Sequence, residues 1–324
     1  MHTFEELQEI LNKEIEGYSP AVEPENLQKS VLYTLGMGGK RIRPILLLMA
    51  AEAFGGTYND AMPAARAIEI FHNSTLIHDD IMDEAEIRRN QTTVHKQWDT
   101  NSAILSGDLM IIKSYEELNQ INNHKINQVL SVFNRIASQV CEGQQFDLNF
   151  ETNNQVSISD YIKMIRLKTS VLLAGALQIG AIIGGADEVQ AKKIYCFGEN
   201  LGLAFQLQDD YLDAFGDPRS FGKKIGGDIS SNKKTFLLLK ALELAQGAYH
   251  DELTSLIGNS NIPVDEKISK VLNIYEKLGI RALTEEMMTN YYDKAIEYLE
   301  ELEIDENNKD ALYKISKNLM GRQS

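Results

Sequence analysis

Three aspartates, Asp79, Asp80 and Asp83, interrupt the aliphatic run LIHDDIMDEAEI at 76–87, and the same i, i+1, i+4 spacing returns at Asp209, Asp210 and Asp213 in QLQDDYLDAFGD at 206–217. On an α-helix each residue turns by about 100°, so Asp79 and Asp83 lie roughly 40° apart and Asp80 completes an arc of about 100°. The carboxylates of each set then face one way. In a partly buried site they repel one another and raise each other's pKa unless cations neutralise them. Oxygen-only ligands suit hard cations, and magnesium in particular takes one or two carboxylates, keeps some waters and completes its shell from substrate phosphates. The pattern therefore predicts a divalent cation and a phosphate ester. A lone triplet of this kind is more often a solvated face or a helix cap. Here it occurs twice, each time among apolar neighbours such as Ile81 and Met82 or Tyr211 and Leu212, which makes coincidence a poor explanation.

Basic residues are placed to meet such an anion. Arg88 and Arg89 follow the first triplet, and GGKRIRP at 38–44 offers Lys40, Arg41 and Arg43. The plainer reading of GGKRIRP is a helix start with an outward basic face and Pro44 in its first turn, a reading that weighs most for Arg41. Lys168 and Thr169 are embedded in the apolar RLKTSVLLAGALQIG, where an unpaired ammonium is costly, so an anionic partner is expected. GKKIGGDISSNKKT at 222–235 adds Lys223, Lys224, Lys233 and Lys234 on a Gly-rich loop that can close over phosphates, some of them simply exposed. His72 lies about 20° from Asp79 and Thr75 at about −40°, so both face the side that the carboxylates overlook. For His72 a satisfied core histidine is the alternative.

The elements that must position these groups read as helices. All six prolines fall at 20, 24, 44, 63, 218 and 263, which leaves 64–217 free of the strongest helix breaker. Apolar positions recur at three- and four-residue intervals, as in INQVLSVFNRIASQV, with no sustained strand alternation, so the chain is predicted to be all-α. Breaks are expected at 54–60, 149–157, 184–188, 215–228 and 258–266, none of them an interdomain linker, and 1–324 reads as a single domain. The net charge of −15 over 324 residues argues against duplex nucleic acid or an anionic membrane surface as the main partner. Cys141 and Cys196 have no metal-ligand spacing and form no disulfide framework, and MHTFEELQEILNKEIEGY reads as an amphipathic helix instead of a signal peptide, so a cytoplasmic protein is expected. The most apolar stretch, 171–186, reads as a buried helix and not as a membrane span.

In order along the chain, GGKRIRP, LIHDDIMD, EIRRNQTTVH, KTS at 168–170, FQLQDDYLD at 205–213 and GKKIGGDISSNKKT resemble the trans-isoprenyl diphosphate synthases, the polyprenyl synthetase family. The resemblance implies an isoprenoid-synthase fold of about ten or more helices around a deep central cavity, with the two aspartate-rich motifs facing across it, and usually a homodimer. It implies that Asp79, Asp80, Asp83 and Asp209, with Asp210 and Asp213 more variably, ligate magnesium, roughly three ions around the bound diphosphate. The catalytic set it implies is Asp79, Asp80, Asp83, Lys168 and Asp209. Arg88, Lys168, Thr169, Gln206, Lys223 and Lys233 are implied to contact the allylic diphosphate, with Lys224 as the alternative to Lys223. Isopentenyl diphosphate is implied to rest against Lys40, Arg43, His72 and Arg89. Where the family carries RRG-x-PT, this chain has Asn90 and Thr92, a departure that touches the loop's shape.

The implied reaction is a magnesium-dependent head-to-tail condensation of isopentenyl diphosphate with dimethylallyl, geranyl or farnesyl diphosphate to a trans product. The allylic C–O bond ionises as cations draw charge onto the diphosphate, the isopentenyl double bond attacks, and a proton leaves. The cavity floor should lie one or more turns before the first triplet: at about 1.5 Å per residue, Thr75 is roughly 6 Å back, Phe71 roughly 12 Å and Ile68 roughly 16 Å. Ser74 and Thr75 are small, so a growing tail passes them and meets Phe71 or Ile68, with Met110 and Ile111 able to move the floor. A farnesyl or geranylgeranyl product is expected, the latter ahead, and a longer quinone-tail product is the alternative. Three rivals stand beside this reading: an HD-type metal phosphohydrolase using His78 and Asp79 with His72 or His95, a terpene cyclase, and an inactive partner subunit. The second triplet fits none of them well.

Overall fold

A computed structural model describes residues 1–121, 124–153, 155–216, 225–259 and 261–321. Helices dominate: α1 (Phe4–Glu16), α2 (Glu25–Gly36), α3 (Ile42–Ala53), α4 (Tyr58–Met82), α5 (Val94–Gln97), α6 (Thr100–Leu118), α7 (Ile126–Thr152), α8 (Ile158–Ile165), a π-turn at Arg166–Ser170, α9 (Val171–Gly184), α10 (Glu188–Phe215), α11 (Gly227–Ser230), α12 (Phe236–Leu244), α13 (Ala248–Gly258), α14 (Val264–Lys277), α15 (Ile280–Glu300) and α16 (Glu306–Met320). The all-α expectation holds. Among the described residues the strands are confined to one hairpin, β1 (Ile87–Arg88) against β2 (Gln91–Thr92). Side-chain caps start several helices, as at Thr3 and Ser157, whose hydroxyls accept from the third residue of the helix while that residue's carboxylate reaches back.

The chain forms two compact units, the first made of Met1–Asn134, Gly175–Ile194 and Glu303–Asn308, the second of Arg135–Ala174, Tyr195–Leu302 and Lys309–Ser324. In the first, every residue of α3 from Pro44 to Ala51 is buried, which is why its sequence, IRPILLLMAAEA, shows little amphipathic patterning. The glycines of the apolar 171–186 stretch have a packing role here: a Cβ on Gly180 would stand 2.0 Å from the Leu47 carbonyl oxygen, so α9 and α3 touch backbone to backbone. In the second unit, one core gathers Phe150, Tyr161, Met164, Ile165, Leu203, Leu207, Phe236 and Leu239, and another gathers Leu237, Leu253, Val271, Ile274 and Tyr275. The first of these cores packs against the buried side of α10, the helix that carries the second aspartate triplet.

The 171–186 stretch belongs to a longer element than the sequence suggests. Residues Ile158–Gly184 run as one helical rod of 27 residues, long and apolar enough by composition to cross a membrane, yet 78% of its most apolar window is buried inside the protein. The rod is apolar because it is interior.

Candidate active site

The first aspartate triplet closes α4. Asp79 and Asp80 are in its last turn and Asp83 is the capping residue, its N–H donating to the Asp79 carbonyl at 2.8 Å. The second triplet occupies the last two turns of α10. A helix C-terminus carries the negative end of the macrodipole, so carboxylates there are doubly unfavourable and a bound cation is correspondingly favourable. The all-oxygen donor sets at these two ends therefore fit a hard divalent ion. Among the described residues, however, no three acid or imidazole groups already converge as a finished metal centre. The triplets are held by protein partners. Asp80, 4% exposed, accepts from Arg88 Nε at 2.7 Å. Burial raises its pKa, and the Arg88 guanidinium opposes that rise.

Arg88 reaches Asp80 because the chain reverses immediately after it. Ile87 pairs with Thr92 and Arg88 with Gln91, and the two-residue turn between them, Arg89 and Asn90, has φ of 51° and 61°. Left-handed φ at both turn positions matches a type I′ hairpin turn, for which asparagine serves nearly as well as glycine. The departure from RRG-x-PT is thus accommodated: Asn90 takes the left-handed position, and Thr92 offers its carbonyl to Tyr33 Oη at 2.8 Å.

A second cluster in the same unit gathers cations. Arg43 Nη1 donates to His72 Nε2 at 3.2 Å, and the Arg89 guanidinium donates to the Gly38 carbonyl and lies against Gly39. Burial, then Arg43, Arg89, Arg88 and Arg41, hold the His72 pKa well below the usual histidine range. His72 is therefore neutral at pH 7, with Nε2 as acceptor. Lys40 is exposed beside this cluster. Arg41 separates from its neighbours, but not as the outward basic face of the plainer reading of GGKRIRP: it is buried, with φ of 50°, its guanidinium bonded to Glu69 and, at 2.6 Å, to the Leu35 carbonyl. Asn73 Nδ2 completes the buried group with a 2.7 Å bond to Glu69 Oε1. This ion pair fixes the backbone from which Lys40 and Arg43 project.

In the second unit the aspartates join a chain of hydrogen bonds. Thr169 Oγ1 donates to Gln206 Oε1 at 3.0 Å, Gln206 Nε2 donates to Asp210 Oδ1 at 3.0 Å, and Tyr161 Oη donates to Asp210 Oδ2 at 2.6 Å. Burial first, then the Asp228 carboxylate, push Asp210 up to about 7, with Lys233, Tyr161 and Gln206 opposing. Asp213 Oδ2 accepts from the Asp228 N–H at 2.9 Å, and Lys233 Nζ stands 4.0 Å from Asp228 Oδ1. Lys234 instead caps α7, donating to the Phe150 carbonyl at 2.5 Å. Lys223 and Lys224 lie outside the described residues.

Lys168 and Thr169 sit on the π-turn and not at the head of an ordinary helix. A π-turn inserts an extra residue and redirects side chains, a feature common at functional sites. The anionic partner expected for Lys168 is supplied by the protein: Nζ donates to Asp147 Oδ2 at 2.6 Å. Gly143 lets α7 approach this turn, since a Cβ there would stand 2.2 Å from the Lys168 backbone nitrogen. Sequence reasoning missed Gly143, Asp147, Tyr161 and Glu69. The signals were there in CEGQQFD and AIEIF, where a glycine and lone acids interrupt otherwise helical apolar patterns.

Of the residues expected at the cavity floor, Ile68, Phe71 and Ser74 are buried and Thr75 is partly so. Phe71 packs edge-on to Phe133 at 5.4 Å between centroids, and Phe133 edge-on to Tyr115 at 5.2 Å. Met110 is fully buried in the same unit. His78 turns toward the Ile104 carbonyl at 3.4 Å and Asp108 at 3.7 Å, so it does not join Asp79 as a metal-binding pair.

The polyprenyl synthetase family model matches residues 24–277. The chain belongs to the polyprenyl synthetase family. It is 37% identical over 290 residues to the geranylgeranyl diphosphate synthase of Methanosarcina mazei, covering 89% of this chain and 85% of that one. A crystal structure of a geranylgeranyl pyrophosphate synthase superposes with a TM-score of 0.95 at 48% identity, covering 100% of both chains. The polyprenyl synthase of Caulobacter crescentus, solved with calcium and isoprenyl diphosphate, is 26% identical with a TM-score of 0.84, covering 99% of this chain and 95% of that one. Membership of this family makes the protein a trans-prenyltransferase, in a family that uses divalent metal, and removes the phosphohydrolase and cyclase readings.

Proposed function

We propose that this prenyltransferase condenses isopentenyl diphosphate with an allylic diphosphate and releases geranylgeranyl diphosphate. The observation that carries the reading is the pair of aspartate triplets at the negative ends of α4 and α10, accompanied by the Arg43–His72–Arg89 cluster and by Lys168 on its π-turn. Asp79, Asp80, Asp83 and Asp209, with Asp210 and Asp213, would hold magnesium, which neutralises charge developing on the departing diphosphate. Arg88, Lys168, Thr169, Gln206 and Lys233, with Lys223, bind the allylic diphosphate, and Lys168 and Arg88 exchange their carboxylate partners for phosphate oxygens as it enters. Lys40, Arg43, His72 and Arg89 hold the diphosphate of the isopentenyl substrate. Neutral His72 suits this role because it can donate from Nδ1 without drawing a carboxylate into an anion site.

Ile68, Phe71, Ser74 and Thr75 limit the tail, Phe71 backed by Phe133 and Tyr115. The geranylgeranyl assignment draws on this floor and on the relatives that carry that name. We also propose that the two units act as one synthase domain, a reading supported by the single family match running through 24–277. The enzyme is proposed to be a cytoplasmic homodimer. Ile104, Leu105 and Ile112 on α6, exposed at 41%, 58% and 57%, give that helix an apolar surface suited to a second copy.

The direct experiment supplies purified protein, magnesium and isopentenyl diphosphate with dimethylallyl, geranyl or farnesyl diphosphate and reads products by mass spectrometry. A discrete geranylgeranyl product supports the assignment, longer products keep the chemistry and discard the floor, and no condensation with any primer removes the proposed function.

A further inference from the structure

Lys267, on α14, is a charged side chain that the proposed chemistry leaves unused. It is 7% exposed, and its ammonium donates to Asn232 Oδ1 at 2.7 Å and to the Ser230 carbonyl at 3.1 Å. Burial pushes its pKa down from the ordinary lysine range. Placing an ammonium in the interior is costly, and an aliphatic side chain of similar length would fill the same space without that cost. What the ammonium adds is directional bonding, and both of its acceptors belong to one short segment, α11 and the turn that leaves it.

That segment carries Asp228 and Lys233. Its start is fastened to the third aspartate of the second triplet: the Gly226 N–H donates to the Asp213 carbonyl at 2.7 Å and the Asp228 N–H donates to Asp213 Oδ2 at 2.9 Å. The turn closes on itself through the Lys233 N–H and the Asp228 carbonyl at 2.9 Å, and Asn232 holds a left-handed φ of 57°. Asp210, Asp213, Asp228, Asn232, Lys233 and Lys267 line one small cavity. The segment is thus held at two points, its start by Asp213 and its end by Lys267. Release of the second grip leaves a polar turn with a left-handed residue free to relax.

We infer that Lys267 is a positioning residue for allylic diphosphate binding: its ammonium clamps the 227–233 turn so that Lys233 and Asp228 stay in register with the Asp209–Asp213 cluster. The inference rests on the proposed assignment of Lys233 and the second triplet to the allylic diphosphate. It gives the clamp a signature that a packing role lacks, because only the substrate that meets Lys233 should be affected.

Lys267→Met keeps the stem and removes the ammonium. The expected result is a KM for the allylic diphosphate raised about tenfold, equivalent to loss of one charge-assisted contact, with the KM for isopentenyl diphosphate within about twofold of wild type. Calorimetry with inorganic diphosphate and magnesium should show the same weakening without turnover. Asn232→Gly removes the side-chain acceptor while keeping the left-handed backbone accessible, and should reproduce the split; it decides the matter alone if Lys267→Met does not fold. Equal changes in both KM values, or unchanged kinetics and diphosphate binding, overturn the inference. Absence of condensation by the wild type counts against the proposed function, while the calorimetric comparison still tests the clamp.

Discussion

Gly143→Ala isolates the relation between backbone packing and phosphate chemistry. A Cβ at Gly143 would lie 2.2 Å from the Lys168 nitrogen, 2.6 Å from the Leu167 carbonyl carbon and 2.7 Å from the Lys168 Cα. All three are backbone atoms, so no side-chain rotation relieves the clash. Ordinary van der Waals contact begins near 3.4 Å, and the π-turn must therefore retreat by about 1 Å. Overpacking of this kind costs about 1–3 kcal/mol of stability. A misplacement of about 1 Å in a positioning group costs on the order of a hundredfold in rate. The expected outcome is kcat/KM for the allylic substrate down by roughly one to two orders of magnitude, accompanied by a melting temperature lower by only a few degrees. Gly36→Ala is the control, because nothing lies within 4 Å of a Cβ there and α2 gains a better helix former. The assay is steady-state release of diphosphate with each substrate varied in turn, alongside thermal melting. Wild-type kinetics in Gly143→Ala would refute the claim that the π-turn's placement sets Lys168 and Thr169.

Three further outcomes follow from the same geometry. Phe71→Ala, which removes a side chain 2% exposed and packed on Phe133, should lengthen the product by at least one isoprene unit, and an unchanged product in the mass spectrum would move the floor elsewhere. Because Asp210 is raised to about 7, the metal-free fold binds more protons than the unfolded chain from about pH 4 to about pH 7, so its stability falls as pH rises through that window. Magnesium affinity measured by calorimetry should accordingly tighten, with proton release, as pH rises through about 7, and Asp210→Asn should flatten that dependence. Asn90→Gly should change activity less than about twofold, since both residues accept the left-handed turn position, and a large loss would give the Asn90 side chain a direct role in binding.

How much of the site was legible depended on whether its physics is local. The i, i+1, i+4 aspartates signalled metal and phosphate because helical spacing alone sets which way they face, and the flanking arginines and the Gly-rich lysine loop carried the same message. Lys168 was legible only in half: the sequence marked it as a buried ammonium in need of an anion, and the resident partner proved to be Asp147, 21 residues earlier. Arg41 shows the opposite limit: the sequence set it apart as an outward-facing cation, and Glu69, 28 residues later, claims it in the interior instead.

The chain by itself determined that the protein is helical and that two acidic triplets sit on helices, with a spacing that suits an anion held through a hard cation. These are properties of periodicity, composition and charge, readable one segment at a time. Tertiary structure alone decided that both triplets end their helices and that a type I′ turn aims Arg88 at Asp80. It also decided that a π-turn carries Lys168 and that Tyr161 and Gln206 share Asp210. Each of these depends on pairings between residues far apart in sequence or on a single backbone angle. Such pairings are set by packing, which no local pattern encodes.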